Sequence, residues 1–468
     1  MPLETVHPDY AAHFRQWQRI RDCIAGEDAV KAAKERYLPR PSGMDDPMFD
    51  AYVERACFFG ATRRTVQGLH GAMFRKAPEA TLPAGERYAA LVDNIDLQGT
   101  PLDVFASTLC WELLAMGRVG ILTDMTAAGD PYLIMYIAEN ITNWREADVG
   151  NVPVPDQFIL METYTIPALD GFGSEIKKRY RVLELDENGL YRQRIFQRPD
   201  QGGEWVVTVV EPKVRGNRLN TIPFSVLSPT QLQLAIETSP IKELVDMNVS
   251  HYRTSADLEH GAHWTATPTP WVSGPFSDVP PALSVGSMAA LVLPEGSQVG
   301  MLTLKGDDLG ALFKQLEQKQ AKMAQLGARL LEDQKRAAET AESKRLQYSG
   351  ENSVLATIAN TASRALTRNI GWAVEWLGGN PADVAIQVNT DFFDATIDPT
   401  LLSSMLAAVQ GGYMSTDTFI WNLIKGELTP PGRTVEEEKE LIEMQGPSFT
   451  PNVDPPPADA DAETQQVA

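Results

Sequence analysis

Ser239-Pro-Ile-Lys-Glu-Leu-Val-Asp-Met-Asn-Val-Ser-His-Tyr-Arg-Thr-Ser-Ala-Asp-Leu-Glu-His-Gly261 is the stretch on which the fold turns. A serine hydroxyl accepts from one of the unpaired N–H groups at a helix start, and proline fits the first helical position, where no N–H is needed. Ile241, Leu244 or Val245, Asn248, Tyr252 and Ala256 then share one face, and Gly261 predicts the stop. Thr265 to Thr303 is unlike the rest, with Pro268, Pro270, Pro275, Pro280, Pro281 and Pro294 and short apolar runs such as Ala289-Ala-Leu-Val-Leu. Prolines at that density exclude a long helix, so a small β and loop element is expected there. A second long helix is predicted over 307–332. Leu309, Leu312, Leu316, Met323, Leu326 and Leu330 recur at alternating three- and four-residue steps, with Lys319 the one interruption. That seam is narrower than a core-facing stripe and predicts packing against another long helix.

Upstream, the chain first reads as helical. Tyr10, Phe14, Trp17, Ile20 and Ile24 make one apolar stripe ending near Gly26. Asp46-Pro47 opens a second, with Phe49, Tyr52, Val53, Ala56 and Phe59, continuing after a break at Gly60 through Val66, Leu69, Met73 and Phe74. Thr100-Pro101 opens a third, with Leu102, Phe105, Leu109 and Leu113. From Gly117 to about Pro229 the period changes to that of strands. Val119-Gly-Ile-Leu-Thr, Phe158-Ile-Leu-Met-Glu-Thr-Tyr, Tyr180-Arg-Val-Leu-Glu-Leu and Trp205-Val-Val-Thr-Val-Val predict one antiparallel sheet. Asp186-Glu-Asn-Gly and Asp200-Gln-Gly-Gly supply hairpin turns.

Downstream, residues 333–352 are polar and mixed in charge, and a third long helix is predicted from Ser353 to Leu377, ended by Gly378-Gly-Asn-Pro. Val384-Ala-Ile-Gln-Val-Asn reads as a strand. Asp398-Pro399 to Gln410 and Ser415 to Lys425 form a helical pair around Gly411-Gly412, and Glu436 to Met444 a last acidic helix. Pro447 to Ala468 is rich in Pro, Asp and Ala and is expected to be disordered. The fold class expected is α+β.

Composition narrows the function. At roughly 150 residues per domain, 468 residues suggest about three units. With 43% hydrophobic and 22% charged residues the balance is that of a globular chain. No apolar run approaches the ~18 residues that span a bilayer, and Met1-Pro-Leu-Glu-Thr-Val-His-Pro lacks the pattern of a secretory leader, so no membrane partner is expected. Cys23, Cys57 and Cys110, odd in number and widely spaced, argue against a disulfide framework or a cysteine zinc site. Against 41 Lys+Arg stand 62 Asp+Glu, a formal charge of −21, which weighs against tight charge-driven binding of nucleic acid.

No phosphate loop, dinucleotide fingerprint or Gly-x-Ser-x-Gly turn is present, and no enzyme activity or cofactor is expected. His251, His260 and His263 cluster beside Asp257 and Glu259. His260, His263 and Asp257 are the one candidate metal set, as in a metal-dependent hydrolase. Gly261 at the predicted helix end and the distance of His251 weigh against it, and histidines near a helix C-terminus are the alternative. In 333–352, Lys335, Arg336, Lys344 and Arg345 flank Glu339 and Glu342. They suit either weak contact with a phosphate backbone or a solvated helical continuation.

The order of elements resembles the portal proteins of tailed bacteriophages, the head-to-tail connector family. The stretches that carry the resemblance are Trp17-Gln-Arg-Ile-Arg-Asp-Cys-Ile-Ala-Gly-Glu with Tyr37-Leu-Pro, and Thr65-Val-Gln-Gly-Leu-His-Gly-Ala-Met-Phe-Arg-Lys-Ala-Pro. Further ones are Asn248-Val-Ser-His-Tyr-Arg-Thr-Ser-Ala-Asp, Gly327-Ala-Arg-Leu-Leu and Thr340-Ala-Glu-Ser. The resemblance implies a wing over 1–238, helical then antiparallel β, stem helices at 239–261 and 307–332, and a clip at 262–306. It also implies a tunnel loop at 333–352, a long helix and wing strand over 353–395, crown helices at 396–445 and an acidic tail at 446–468. Such a protein forms a ring of twelve copies at one capsid vertex of the virion, made in the host bacterial cytoplasm. Stem helices of adjacent copies would bury the leucine seam. Double-stranded DNA would pass non-specifically by Lys335, Arg336, Lys344 and Arg345. Terminase large subunit, a head–tail adaptor, and major capsid and scaffold proteins would be partners. A head-completion adaptor is the competing expectation within the virion.

Overall fold

A computed structural model describes residues 3–167, 172–199, 203–266, 269–275, 295–302, 307–328, 353–390, 392, 399–425, 428–430 and 433–445. They fall in two units, Met1–Thr390 and Asp391–Ala468. The larger opens with helices α1 (Pro8–Ala25), α2 (Glu27–Ala32), α3 (Asp46–Arg55) and α4 (Ala61–Met73), strand β1 (Glu79–Thr81), and helices α5 (Glu86–Asp93) and α6 (Leu102–Met116). Strands β2 (Val119–Met125), β3 (Pro131–Ile137), β4 (Ile141–Val149), β5 (Val152–Pro167), β6 (Ser174–Leu185) and β7 (Tyr191–Gln197) follow. Next come β8 (Val206–Val210), β9 (Lys213–Val214), β10 (Asn217–Arg218) and β11 (Phe224–Leu227). The unit continues with α7 (Lys242–Ala266), β12 (Thr269–Ser273), β13 (Gln298–Leu302), α8 (Asp307–Ala328), α9 (Ser353–Trp376) and β14 (Ala385–Gln387). The smaller unit contains α10 (Pro399–Gln410), α11 (Thr416–Lys425) and α12 (Val435–Gln445). The class is α+β, as expected, and no helix among the described residues is long and apolar enough to cross a membrane.

The predicted helix starts have their chemical basis. At α1, His7 Nδ1 accepts from Asp9 N and Pro8 takes the first helical position; Tyr10, Trp17, Ile20 and Cys23 are buried. Asp45 caps α3 by accepting from Met48 N at 2.9 Å. Two of the stretches behind the family resemblance meet here, because Tyr37 OH donates to Asp22 at 2.5 Å. In the smaller unit Ser415 Oγ accepts from Thr418 N at 3.1 Å. Thr434 and Glu437 each accept the other's backbone N–H at 3.2 and 3.0 Å, a capping box for the acidic α12.

The core of the larger unit lies between α6, α9 and β2. The sequence stripe on α6 described one apolar face, but the helix is buried nearly all round, since α9 and β2 pack on it too. Its one buried carboxylate, Glu112, receives two hydrogen bonds from Arg21, at 2.8 and 2.6 Å. Along α9, Leu355, Ile358, Ala362, Leu366, Ile370 and Ala373 are buried, as the periodicity required. Asn369 is also fully buried. Its Oδ1 accepts from Thr123 Oγ1 at 3.0 Å and its Nδ2 donates to Ser225 Oγ at 2.8 Å, which ties α9 to β2 and β11.

The single expected sheet is in fact two. Strand order β11-β2-β3 makes one, and the antiparallel meander β4-β5-β6-β7-β8 the other. Asp186 Oδ1 accepts from Asn188 N and Leu190 N at 2.9 and 3.0 Å, and Gly189 takes a φ of +72°, so that turn forms as read. Asp200, Gln201 and Gly202 of the second turn lie outside the described residues. Strands β3 and β4 escaped the reading because Tyr132-Leu-Ile-Met-Tyr is a continuous apolar run and β4 carries Arg145, Glu146 and Asp148, so neither alternates cleanly. The strand expected near 384–389 forms as β14 and pairs antiparallel with β1, whose Glu79-Ala-Thr gave no β signal. Helix α5 also went unread, having only Tyr88 and Leu91 buried. Residues 446–468, expected to be disordered, lie outside the described residues.

A buried polar network joins the two sheets. Arg181 on β6 donates to Asp124 at 2.9 Å, Gln193 at 2.7 Å and Glu162 at 2.7 Å, while Tyr136 OH donates to Glu162 at 2.5 Å. Burial alone would raise the Glu162 pKa, but the Arg181 charge and the hydrogen bonds from Tyr136 and Arg181 outweigh it and hold the carboxyl below the usual carboxylate range. A carboxylate whose folded pKa is depressed adds stability above its ordinary range and loses it as pH falls through the folded value. Stability should therefore drop as pH falls below about 4.5. Arg181→Leu, which takes the shared cation from Asp124 and leaves Glu162 with Arg179, should cost about 3–5 kcal/mol at neutral pH and flatten that acid dependence. Urea unfolding of both proteins across pH checks this, and parallel curves would refute it.

Candidate functional site

The leading candidate is the helix pair predicted from the opening stretch. Ser239 Oγ accepts from Ile241 N at 3.3 Å and donates to Ala115 O at 2.6 Å, so the start is fixed to α6. Leu244, Val245, Val249, Tyr252 and Ala256 are buried, and α7 packs on α1, α3 and α4. Asn248, the polar member of the stripe, is fully buried. Its Oδ1 accepts from Thr62 N at 3.2 Å and Thr62 Oγ1 at 2.8 Å, and its Nδ2 donates to Phe59 O at 2.7 Å. Helix α4 begins at Gly60, which offers no side-chain cap. Asn248 thus serves an unpaired N–H of α4 from another helix. Farther along, Arg253 Nε donates to Tyr37 O at 2.7 Å and Tyr52 OH to Asp257 at 2.5 Å.

After Ala256 no residue of α7 is fully buried, yet the helix continues to Ala266. The expected stop at Gly261 is corrected by α8. A β-carbon at Gly261 would lie 2.6 Å from Leu309 Cδ2, so the glycine gives α8 room and does not end the helix. Helix α8 runs antiparallel along α7. Leu309 meets Gly261, Lys319 Nζ donates to Ser250 O at 3.0 Å and Thr254 Oγ1 at 2.5 Å, and Leu326 lies beside Glu243 and Met247. The expected packing on another long helix is therefore met by α7 of the same chain, with α4 contributing at Gly327 near Thr65. Leu316 and Met323 of the seam are buried there, and Leu309, Leu312 and Leu326 are half-buried. Lys319, read as an interruption, caps a carbonyl of α7; Leu330 lies outside the described residues. Each helix is long, about 37 and 33 Å at 1.5 Å per residue.

Between the helices the described chain forms one antiparallel ladder, β12 with β13, in line with the expected β element; residues 276–294 lie outside the described residues. Around this end Trp264, Trp271, Val299, Met301 and Phe313 are exposed. Of these, Trp271, Val299 and Met301 lie inside the proline-rich segment of the sequence, where periodicity does not report them.

The candidate metal residues are engaged elsewhere. His251 is buried, lies 3.1 Å from the Gln320 amide and packs on Phe59; burial first and the Lys319 charge second push its pKa down. His260 Nε2 accepts from Trp264 Nε1 at 2.9 Å, and burial and then Arg55 lower its pKa. Asp257 is held by Tyr52. Among the described residues no group of three His, Cys, Asp or Glu side chains gathers to hold a metal. Lys335, Arg336, Lys344 and Arg345, the candidate DNA contacts, lie outside the described residues.

Residues 240–377, which span α7 to α9, match a family described only as a domain of unknown function, DUF4055. Among solved structures, a chain titled neck of empty GTA particle computed with C6 symmetry is similar at 14% identity and a TM-score of 0.40, over 86% of this chain and 98% of that one. A chain titled neck of native GTA particle computed with C12 symmetry is similar at 13% identity and a TM-score of 0.38, over 84% of this chain and 97% of that one. No curated protein matches the chain.

Because Asn248 satisfies buried groups on two segments, Asn248→Ala should destabilise the protein by about 2–3 kcal/mol, most of it from the stranded Thr62 N–H and Phe59 carbonyl. Asn248→Asp, which keeps the acceptor for Thr62 but sets a buried carboxylate oxygen against the Phe59 carbonyl, should cost at least as much as Asn248→Ala. The measurement is the urea midpoint at fixed protein concentration, and equal midpoints for all three proteins would rule the anchor out.

Proposed function

We propose that this chain is the subunit of a portal ring, the channel at one capsid vertex of a tailed phage through which double-stranded DNA is packaged, retained and ejected. The observation that carries the reading is the helix pair α7–α8, whose base is rooted on α1, α3 and α4. At its far end stand a β ladder and the exposed Trp264, Trp271, Val299, Met301 and Phe313. Apolar side chains exposed on these successive elements are what a contact surface would present. Head-to-tail contacts that close on themselves cover such a surface in every copy, which is the symmetry of a ring. The order of elements, a helical and β region, a long helix, a β ladder, two further long helices and a helical unit, supports the reading.

In this reading α7 and α8 are the stem, the segment between them is the clip that meets terminase and then a head–tail adaptor, and α10 to α12 belong to the crown. The acidic composition suits the task. Each phosphate neutralised by a protein cation strengthens binding, so a basic channel would hold DNA in place. Twelve copies would carry roughly −250 formal charges and repel the duplex over most of the surface. Lys335, Arg336, Lys344 and Arg345 are the small basic set that would centre it. The role calls for no catalytic residue, cofactor or sequence-specific contact, and it places the protein in the virion.

Two measurements test this. The mass of the purified full-length assembly should be an integer multiple of the chain mass, with a central hole in negative-stain images; a monomer at micromolar concentration would overturn the ring. Replacing Lys335, Arg336, Lys344 and Arg345 together by Glu should lower the yield of DNA-filled particles while rings still form. An unchanged yield would remove the DNA-centring role and leave the ring standing.

A further inference from the structure

The two edges of the five-stranded sheet are finished differently. At β4, His7 N donates to Thr142 O at 2.9 Å and Asn143 Nδ2 donates to Thr5 O at 2.8 Å, so the N-terminal segment covers part of that edge. Arg145, Glu146 and Asp148 place charges along the remainder. Both are devices that keep a sheet edge from pairing onward. The opposite edge, β8, has neither. It reads Val206-Val-Thr-Val-Val210, without charge or proline, and among the described residues it pairs with β7 alone. Side chains alternate between the two faces of a strand, yet the four valines are all between 39% and 57% exposed, so neither face is covered.

The strand also specifies its partner. Its sequence is the same in both directions. Laid antiparallel on a copy of itself about Thr208, it sets Val206 opposite Val210, Val207 opposite Val209 and Thr208 opposite Thr208. Both faces then match, and β-branched and Thr–Thr cross-strand pairs are favourable ones. The strand brings no charge to a contact between copies of a chain whose formal charge is −21. We propose that β8 is a two-fold pairing edge, through which two copies of this chain join their five-stranded sheets into one continuous sheet. The inference does not rest on the ring. Ring contacts are head-to-tail, and a residue meets its own counterpart only across a two-fold axis.

The test uses the full-length chain with Cys57→Ser, which removes the exposed native thiol, and adds Thr208→Cys. Residues directly opposite in an antiparallel pair have Cα atoms about 4.5–5.5 Å apart, within the span of a disulfide. Mild oxidation should give a disulfide-linked two-chain species on a non-reducing gel. Register is read by mixing Val207→Cys chains with Val209→Cys chains, which should link to each other more than either links to itself. Adding Val207→Lys and Val209→Lys to the Thr208→Cys chain sets lysines face to face and should cut linking about tenfold or more. These positions are exposed, so circular dichroism should report an unchanged fold. A folded Thr208→Cys chain that does not link, or links equally well with both lysines present, overturns the proposal. The mass of the unoxidised assembly reports on the ring separately.

Discussion

One buried amide orients the part of the larger unit that the functional reading depends on. Asn248 stands in the apolar stripe of α7 where a leucine would pack as well, but its two ends pair with α4 and with the chain just before it. Burying an amide is favourable only when it is paired, so this contact accepts one rotational setting of α7 and excludes slippage by a residue in either direction. With α7 set, α8 follows, because Gly261 and the Ser250 carbonyl fix where Leu309 and Lys319 can sit.

Much of this was legible in the sequence, and the exceptions have physical causes. Helix starts were readable where a capping side chain announces them, as at Asp45, Ser415 and Ser239. Long buried helices such as α9 were readable because their periodicity survives over many turns. Gly261 misled because glycine serves two purposes, ending helices and admitting a close neighbour, and only the position of Leu309 distinguishes them. Lys319 misled for a related reason: periodicity scores a lysine in a leucine seam as a defect, though its long stem packs while its ammonium reaches a carbonyl. The division into two sheets was invisible because it depends on which strands pair, a non-local matter. Of the candidate site residues, His251 and His260 lie on α7 as read, and His263 joins them because the helix runs past Gly261; the His260–Trp264 contact is a local i,i+4 pair, whereas Gln320 and Arg55 come from sequence positions no local pattern connects to the histidines.

Charge is used in two ways in this chain. Inside, carboxylates are few and each is matched: Glu112 by Arg21, and Glu162 by Arg179 and Arg181. Pairs of this kind add little net stability, since desolvation offsets most of the attraction, but they penalise any arrangement that separates them. They therefore specify how the two sheets meet more than they hold them together. The acidic surplus lies elsewhere, as in Glu436, Glu437 and Glu438 on the first turn of α12, where it complements the helix dipole. A net charge assembled this way leaves the core indifferent to salt and puts the repulsion on the surface.

The uneven rooting of α7 also bears on assembly. Its first half would be helical in any context that kept the core, because Leu244, Val245, Val249, Tyr252 and Ala256 are buried. From Asp257 onward the helix rests on Tyr52 and Arg55 at the end of α3 and on α8, and α8 itself buries Leu316 and Met323 but leaves Phe313 in water. A two-helix arm with one shared seam is marginal by itself, since short helices draw most of their stability from a packed face. Two remedies are open to such an arm: a wider internal core, or a neighbour. The sequence rejects the first, placing Glu259, His260, His263 and Lys314 where a wider core would need apolar side chains. What remains apolar at that end faces outward, which is the pattern of a surface completed by another molecule.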